Sequence, residues 1–464
     1  ALNAATVRAY ELAGADVSRA TPLGQLAAKN PPGPGLRLKL YRSGTSALRA
    51  AAPLLLKYRE RQGKEDPERR SERLGKATRA RPEGPLAWVH AASVGETNAV
   101  LPLIEGLLAA EPALHVLLTT GTTTSAGLAA RRLPPRAFHQ FVPLDAAKYA
   151  GAFLDHWRPD LAIFTESEIW PNLILESSRR KITMALINAR MSPRSMKRWR
   201  RNGALARPLF SRFAIVLAQN EMVARTIKSL GAPNVVTAGN IKIDAAPPPA
   251  NQSHLAELRA AASGRPLLLA ASTHPGEEKI VARAHEILAK SLPGLLTIIA
   301  PRHPDRAQAL QSELQSTGLR VTRRSVTGLP VHETQIYLAD TIGELGTFFA
   351  LCPVVFMGGS LIDHGGQNPI EAIRHGALVV TGPSAHNFRE VYDALARFGG
   401  VKTITSAEEL ASAAAMLLAD KDAAAKMQAG AEAGLATLSG ALQKTLDALL
   451  PYISVKRDTP IAAS

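Results

Sequence analysis

Residues 86–120 read LAWVHAASVGETNAVLPLIEGLLAAEPALHVLLTT. A short apolar run ends in small residues and Gly95, a helical stretch follows, and a second apolar run closes the segment. Neither run alternates strictly between apolar and polar positions, as expected of parallel strands buried on both faces. The pattern continues through FHQFVPL, LAIFTES, ITMALINA, FAIVLAQ and NVVTAGN. It stops at Asp244–Ala250, where three consecutive prolines exclude both helix and strand. It restarts with PLLLAAS, LLTIIAP, RVTRRS, QIYLAD, VVFMGG, ALVVTG and VKTIT. Two such halves predict an α/β protein of two Rossmann-like, doubly wound domains facing across a cleft, at 63–244 and 251–464, with a proline hinge at 245–250. No sequence repeat relates the halves. Ligands of such sheets bind beyond the carboxyl ends of the strands, so the loops after the strands should carry the chemistry.

Outside this frame, residues 1–35 end in PPGPG and read as an extension with a linker, of no assigned role. Residues 36–62 mix aliphatic and basic residues with no acid before Glu60, the composition of a helix lying in a membrane interface. An ordinary amphipathic helix packed on a domain has the same composition, and Pro53 would kink either. Residues 57–81, dense in both charges, read as an exposed helix and connection.

The composition narrows the classes. The 464 residues are 46% hydrophobic, which excludes a disordered or fibrous chain. A lone cysteine, Cys352, excludes a disulfide framework or a Cys-rich zinc site and points to a reducing compartment. No apolar run reaches the ~18 residues of a membrane span, and no signal-peptide pattern opens the sequence, so an intracellular protein is expected. The net charge of +16 is unevenly placed. Residues 1–90 hold 17 Lys/Arg against 8 Asp/Glu, and residues 179–212 hold 11 Lys/Arg and no acid. Such blocks suit nucleic acid, anionic lipid or an anionic substrate, and solvated basic faces are the plainer account. Aromatics at 5% and the lack of any RNP, zinc-finger or helix-turn-helix signature disfavour nucleic acid.

The loops hold the candidates. In HAASVGE, Glu96 stands at the start of a helix, where a carboxylate partners the helix dipole; general base is its sharper role, and position alone favours the first. Glu166 and Glu168 of TESEIWPN could do acid/base work, or one could cap the helix starting at Pro171. Asn188 and Arg190 close another strand and lead into the basic block, with Arg194 beyond. In FMGGSLIDHGGQNPIEAI, glycines could let backbone approach a phosphate at a helix N-terminus, and Glu371 could grip ribose hydroxyls or merely cap. These glycines match neither a G-x-G-x-x-G nor a Walker A pattern, which counts against NAD and ATP. STHPGEE (272–278) and PRHPDR (301–306) add hydroxyls, Arg302 and His303. The twelve histidines are scattered without metal-ligand spacing, and Asp420-Lys421-Asp422 reads as a helix cap.

Together HAASVGE, TESEIWPN, INARMS, AQNE, GNIKID, STHPGEE, PRHPDR, DTIGEL, FMGGS, GGQNPIEA and GPSAHNF resemble, in order, the 3-deoxy-D-manno-octulosonic acid (Kdo) transferases of lipopolysaccharide synthesis, which are GT-B glycosyltransferases. The resemblance runs from about Leu36 to the C-terminus. It implies an inverting enzyme that moves Kdo from CMP-Kdo to a glucosamine hydroxyl of a lipid A precursor of the lipid IVA type. This would be the first Kdo step of inner-core synthesis, at the cytoplasmic face of the cell inner membrane, without a bound metal or other cofactor. It implies acceptor binding in the first half and donor binding in the second. On the matching motifs it implies Glu96 as general base and Glu168 as second acid, with Glu166 its rival. Lys242 would face the Kdo carboxylate. Arg302, Met357, Gly358, Gly359, Ser360, Asn368 and Glu371 would line the CMP site, with Ser272, Thr273 and the 386–388 turn as weaker candidates. Arg190 and Arg194 are candidates for the acceptor. The apolar anchor that relatives often carry near the start is interrupted here by Arg, Lys and Pro, so peripheral attachment is expected. Another GT-B nucleotide-sugar transferase or epimerase is the alternative, with a nucleic-acid-binding protein behind it.

Overall fold

The computed structural model describes residues 31–244, Pro247 and 250–454. The extension before residue 31 and most of the expected hinge lie outside the described residues. All fourteen apolar runs form strands, in two sheets of seven. In the first, β1 (Leu86–His90), β2 (His115–Thr120), β3 (Ala137–Phe141), β4 (Leu161–Thr165), β5 (Thr183–Ala189), β6 (Ile215–Ala218) and β7 (Val235–Thr237) pair in the order 3-2-1-4-5-6-7. In the second, β8 (Leu267–Thr273), β9 (Leu296–Pro301), β10 (Val321–Arg323), β11 (Ile336–Leu338), β12 (Val354–Met357), β13 (Leu378–Thr381) and β14 (Lys402–Thr403) pair in the order 10-11-9-8-12-13-14. Every pairing is parallel, with β1 in register between β2 and β4 and β8 between β9 and β12. Both orders reverse direction beside the first strand, between β1 and β4 and between β8 and β12, and such switch points open ligand sites.

The continuous apolar runs follow from burial on both faces. In β1, Leu86 and Trp88 face one core, with Phe153, Phe164 and Phe213. Ala87 and Val89 face the other, with Val100, Leu103 and Leu107.

The chain divides into two compact units, and the division corrects one boundary: the first unit holds residues up to 245 and also 439–464, while the second holds 246–438. The returning helix Ala441–Ser454 places Ala441, Ala448, Leu449, Tyr452 and Ile453 in the core of the first sheet. Asp244 fixes the return, accepting the N–H of Gly440 (2.9 Å) and Leu442 (2.7 Å). Gly106 gives the approach its room, since a Cβ there would lie 2.7 Å from Leu446. An apolar helical pattern shows that a helix will be buried, not against which sheet, and so the second half read as continuous.

Two other expectations change. Residues 36–62 form the helices Leu36–Leu48 and Ala52–Arg61 around a 3-10 turn, and Pro53 sits in the first turn of the second helix. They pack on the first unit through Leu38, Ala52 and Leu56, and Tyr41 donates to Asp145 (2.8 Å). The charged stretch that follows is exposed only in part. Glu65, Glu72 and Arg73 are buried, with Arg73 bonding both oxygens of Glu65 and Arg69 both oxygens of Glu72. Opposite charges in one segment can satisfy each other inside, which composition cannot distinguish from a solvated run.

Candidate active site

In the first unit, the loops after β1 and β4 meet at the switch point. Ser93 caps the Val94–Ala110 helix by accepting the Glu96 N–H, and Glu96 Oε1 accepts from the Ser93 hydroxyl (2.9 Å), so cap and third residue hold each other. Glu96 thus does stand in the first turn of its helix as a partner of the helix end, but that role does not exhaust the carboxylate. Oε2 also accepts the Ala92 N–H (3.0 Å) and the Thr165 hydroxyl (2.7 Å) from the end of β4. A carboxylate has about four acceptor positions, and three are filled, so one remains. Glu96 is 9% exposed, held from both strands of the switch point.

The TESEIWPN loop is a turn that sends its two acids apart. Glu166 adopts φ 48°, a left-handed conformation costly for a side chain bearing Cβ, and ion-pairs with Lys242. Asn188 on β5, also left-handed at φ 49°, stands 3.5 Å from Glu166 and accepts the Ile241 N–H at the start of the Ile241–Asp244 helix. Lys242, expected to face the donor, thus has its ammonium on Glu166. Glu168 accepts from the Trp170 indole (2.6 Å) and lies 3.4 Å from His90 Nε2, a close contact that falls short of an aligned hydrogen bond. Burial pushes the Glu168 carboxyl up, but His90 and Trp170 outweigh it and hold it below the ordinary range, keeping it ionised. Neither acid caps the Pro171–Arg179 helix; Asp145, not foreseen from sequence, accepts the N–H groups of Asn172 and Leu173. Arg190 and Arg194 are exposed beyond β5, and Arg194 begins the basic helix Pro193–Arg201, of which only Met196 is buried.

In the second unit, a buried carboxylate organises the switch point. Glu277, fully buried, takes the N–H groups of Gly359 (2.7 Å) and His274 (3.0 Å) on one oxygen and those of Ser360 (2.9 Å) and Leu361 (3.0 Å) on the other. This corrects the expectation that the glycine pair lets backbone approach a phosphate, because both N–H groups are already taken inside the protein, that of Gly359 by Glu277 and that of Gly358 by the Ala271 carbonyl (2.8 Å). Gly358 permits the close approach of β12 to β8: a Cβ there would lie 2.5 Å from the Ser272 carbonyl oxygen. Met357 lies in the core, and the buried Ser360 hydroxyl donates to the Met357 carbonyl and accepts the Gly382 N–H. Thr273, also buried, donates to Glu278 (3.1 Å). Met357, Gly358, Gly359, Ser360 and Thr273 therefore shape the loop. Ser272, strained at φ 54°, marks the end of β8.

The groups left to face a ligand stand around them. Arg302 is exposed after β9, its N–H on the Thr273 carbonyl. His274 stacks on His364 with ring centroids 3.8 Å apart, and burial, then His364, lowers its pKa. Asn368 accepts the Ile370 N–H at a helix, Ile370–Arg374, of only five residues, so its dipole is small. Burial raises the Glu371 carboxyl, opposed by Asn368 beside it. The His386–Phe388 turn braces the loop, Asn387 donating to the His364 carbonyl (2.9 Å). Asp420 caps its helix as expected, accepting the N–H groups of Asp422 and Ala423. Among the described residues no three His, Cys, Asp or Glu side chains group to hold a metal ion. Glu277 and His90 were legible only as members of quoted motifs; their position at strand ends is the signal that could have singled them out.

Two all-parallel Rossmann-like units, each with polar groups gathered at its switch point, define the GT-B class. The solved fold neighbours agree: a glycosyltransferase from Rickettsia africae (TM-score 0.54, 12% identity, 82% of this chain and 100% of that one) and a UDP-GlcNAc 2-epimerase from Neisseria meningitidis (TM-score 0.54, 16%, 79% and 100%). At such identity they speak for fold alone. The sequence comparisons go further. A family model described as 3-deoxy-D-manno-octulosonic-acid transferase matches residues 68–245. The 3-deoxy-D-manno-octulosonic acid transferase of Haemophilus influenzae is 34% identical over 82% of this chain and 89% of its own length. That of Bordetella pertussis is 34% identical over 82% and 91%. The chain belongs to the 3-deoxy-D-manno-octulosonic acid transferase family and is a glycosyltransferase.

Proposed function

We propose that the protein transfers Kdo from CMP-Kdo to a glucosamine hydroxyl of a lipid A precursor of the lipid IVA type, inverting the anomeric carbon, with Glu96 as general base. This would be the first Kdo step of lipopolysaccharide inner-core synthesis. The observation that carries the reading is the Glu96 carboxylate, fixed by Ala92, Ser93 and Thr165 with one acceptor position free at the first unit's switch point. That position takes the proton of the acceptor hydroxyl as its oxygen attacks C2 of Kdo. Glu168, kept ionised, adds negative charge on the acceptor side and stabilises positive charge developing at the sugar. In the second unit, Arg302, Asn368 and Glu371 receive the nucleotide, and Arg302 stabilises the departing CMP phosphate. The reading uses no metal or other cofactor.

The acceptor carries phosphates, and the first unit carries both basic blocks. Arg190, whose N–H donates to the Glu166 carbonyl (3.3 Å), and the exposed Arg194 four residues on are the candidate cations for those phosphates. The exposed leucines and arginines of Leu36–Leu48 and Ala52–Arg61 fit peripheral docking on the cytoplasmic face of the inner membrane. Among the described residues no helix is long and apolar enough to cross a membrane.

Incubation with CMP-Kdo and a lipid A precursor, with products weighed by mass spectrometry, tests the reaction. Glu96→Gln should lower kcat at least a hundredfold with CMP-Kdo affinity nearly unchanged. Near wild-type turnover would remove Glu96 from the role.

A further inference from the structure

A cavity of about 550 Å³ in the first unit lies away from the β1/β4 switch point. Pro32, Gly33 and Gly35 form one wall, Arg200, Gly203, Ala204, Arg207 and Pro208 another, and Ser229 and Leu230 close it. Arg200 donates to the Thr226 hydroxyl (3.1 Å), and among the described residues no carboxylate pairs with Arg200 or Arg207. Glu221 stands at the opposite end of its helix from Ser229, engaged by Thr237 and Arg225. The helix end that faces the cavity does not repel an anion with bare carbonyls: those of Thr226, Ile227 and Lys228 accept the N–H groups of Leu230, Ala232 and Gly231. Gly203 leaves the backbone open on its side, since nothing lies within 4 Å of a Cβ there. Two guanidiniums without a carboxylate partner, in a recess lined otherwise by small and apolar residues and Ser229, are suited to one phosphate.

The surroundings say which phosphate. Gly35 in the wall is followed by Leu36, 72% exposed, and Arg37 ties that helix to Asn202 beside Gly203. The helix continues with exposed Leu40, and the next presents Leu54 at 73% and Tyr58 at 60%. Apolar side chains left in water beside a cationic recess match an interface of acyl chains and headgroups.

We infer that this cavity binds the headgroup phosphate of an anionic bilayer phospholipid, with Arg200 and Arg207 as its ligands, separately from the acceptor site. The inference rests on the membrane-docking reading above. The full chain is tested by co-sedimentation with phosphatidylcholine vesicles and with vesicles containing one-fifth phosphatidylglycerol. R200Q/R207Q should weaken binding to the anionic vesicles at least tenfold and leave the neutral ones unchanged. R131Q/R132Q, which removes the same charge from exposed positions outside the cavity, should cost less than threefold. Tryptophan melting curves check that both variants are folded. Equal losses in the two variants would mean diffuse charge and overturn the site while leaving membrane docking intact. Wild-type protein that ignores both vesicles, or an L54N/L55N variant that binds them like wild type, would overturn the docking reading. The wild-type failure would overturn the site as well. Glycerol 3-phosphate and inorganic phosphate supply the soluble arms. Saturation by either at micromolar concentration, lost in R200Q/R207Q, would make the ligand a free phosphate and refute the lipid assignment. A kcat/KM defect of R200Q/R207Q with detergent-dispersed acceptor would assign the cavity to the acceptor instead.

Discussion

Glu277→Gln tests the organising principle of the second unit. One carboxylate oxygen holds Gly359 and His274, the other Ser360 and Leu361. An amide keeps one oxygen and turns an NH2 group toward two N–H donors, so two charge-assisted bonds are lost and two buried donors are left facing another donor. Hydrogen bonds to charged groups are worth about 1.5–3 kcal/mol each, and breaking one side of a buried ionic arrangement costs about 3–5 kcal/mol. A loss of about 3–5 kcal/mol from a unit of this size lowers its melting temperature by roughly 8–15 °C. Calorimetry should show that shift in one transition. Trp88, Trp157, Trp170 and Trp199 all lie in the first unit, so tryptophan fluorescence should report an unshifted melt and serve as the internal control. Hydrogen exchange should locate the damage at residues 359–361. CMP affinity should fall with it, because the loop between β12 and Asn368 loses its anchor. Unchanged exchange at 359–361, with a calorimetric shift under about 2 °C, would refute the account of that loop.

Two further outcomes follow from the geometry. Burial, with Arg69 beside it, pushes His139 down to about 3, from an unfolded value near 6.5. The unfolded chain therefore binds a proton that the folded one refuses, and stability present above pH 6.5 is lost as pH falls toward 3, at up to about 1.4 kcal/mol per pH unit. H139Q should flatten that fall when urea midpoints are followed by tryptophan fluorescence between pH 4 and 7; an equal slope in both proteins would exclude it. Gly358→Ala drives a Cβ to 2.5 Å from the Ser272 carbonyl oxygen and 2.7 Å from Thr273 Cα, both backbone, so about 1–3 kcal/mol of second-unit stability should be lost, with weaker CMP binding. Calorimetry checks it against Gly44→Ala, an exposed helical position with nothing within 4 Å, which should not destabilise.

Much of this was legible in the residues. Parallel strands buried on both faces read as continuous apolar runs, and each of the fourteen became a strand because β-branched and aliphatic runs of that length have few other stable fates. Local motifs were legible for the same reason: Glu96 at the head of its helix, and Asp420 before the next, act within one turn of chain. Partnership across the fold was not. Whether Glu96 merely caps depended on Thr165, 69 residues away, and the fate of Lys242 on Glu166. Glu277 drew no reading of its own within STHPGEE, and only the folded loop 82 residues later shows that it takes the N–H groups of that loop.

By itself the sequence determined two parallel α/β halves, the family and the strand ends at which chemistry must sit. These rest on periodicity and short-range geometry, which the chain carries at every position. Only the tertiary structure decided which donors remain free. A buried N–H or carboxylate takes whichever partner folding brings within 3 Å, and that distance is set by packing between segments far apart in the chain. The return of Ala441–Ser454 to the first sheet was decided in the same way, by an apolar face seeking a core and by Asp244 holding the turn that brings it there.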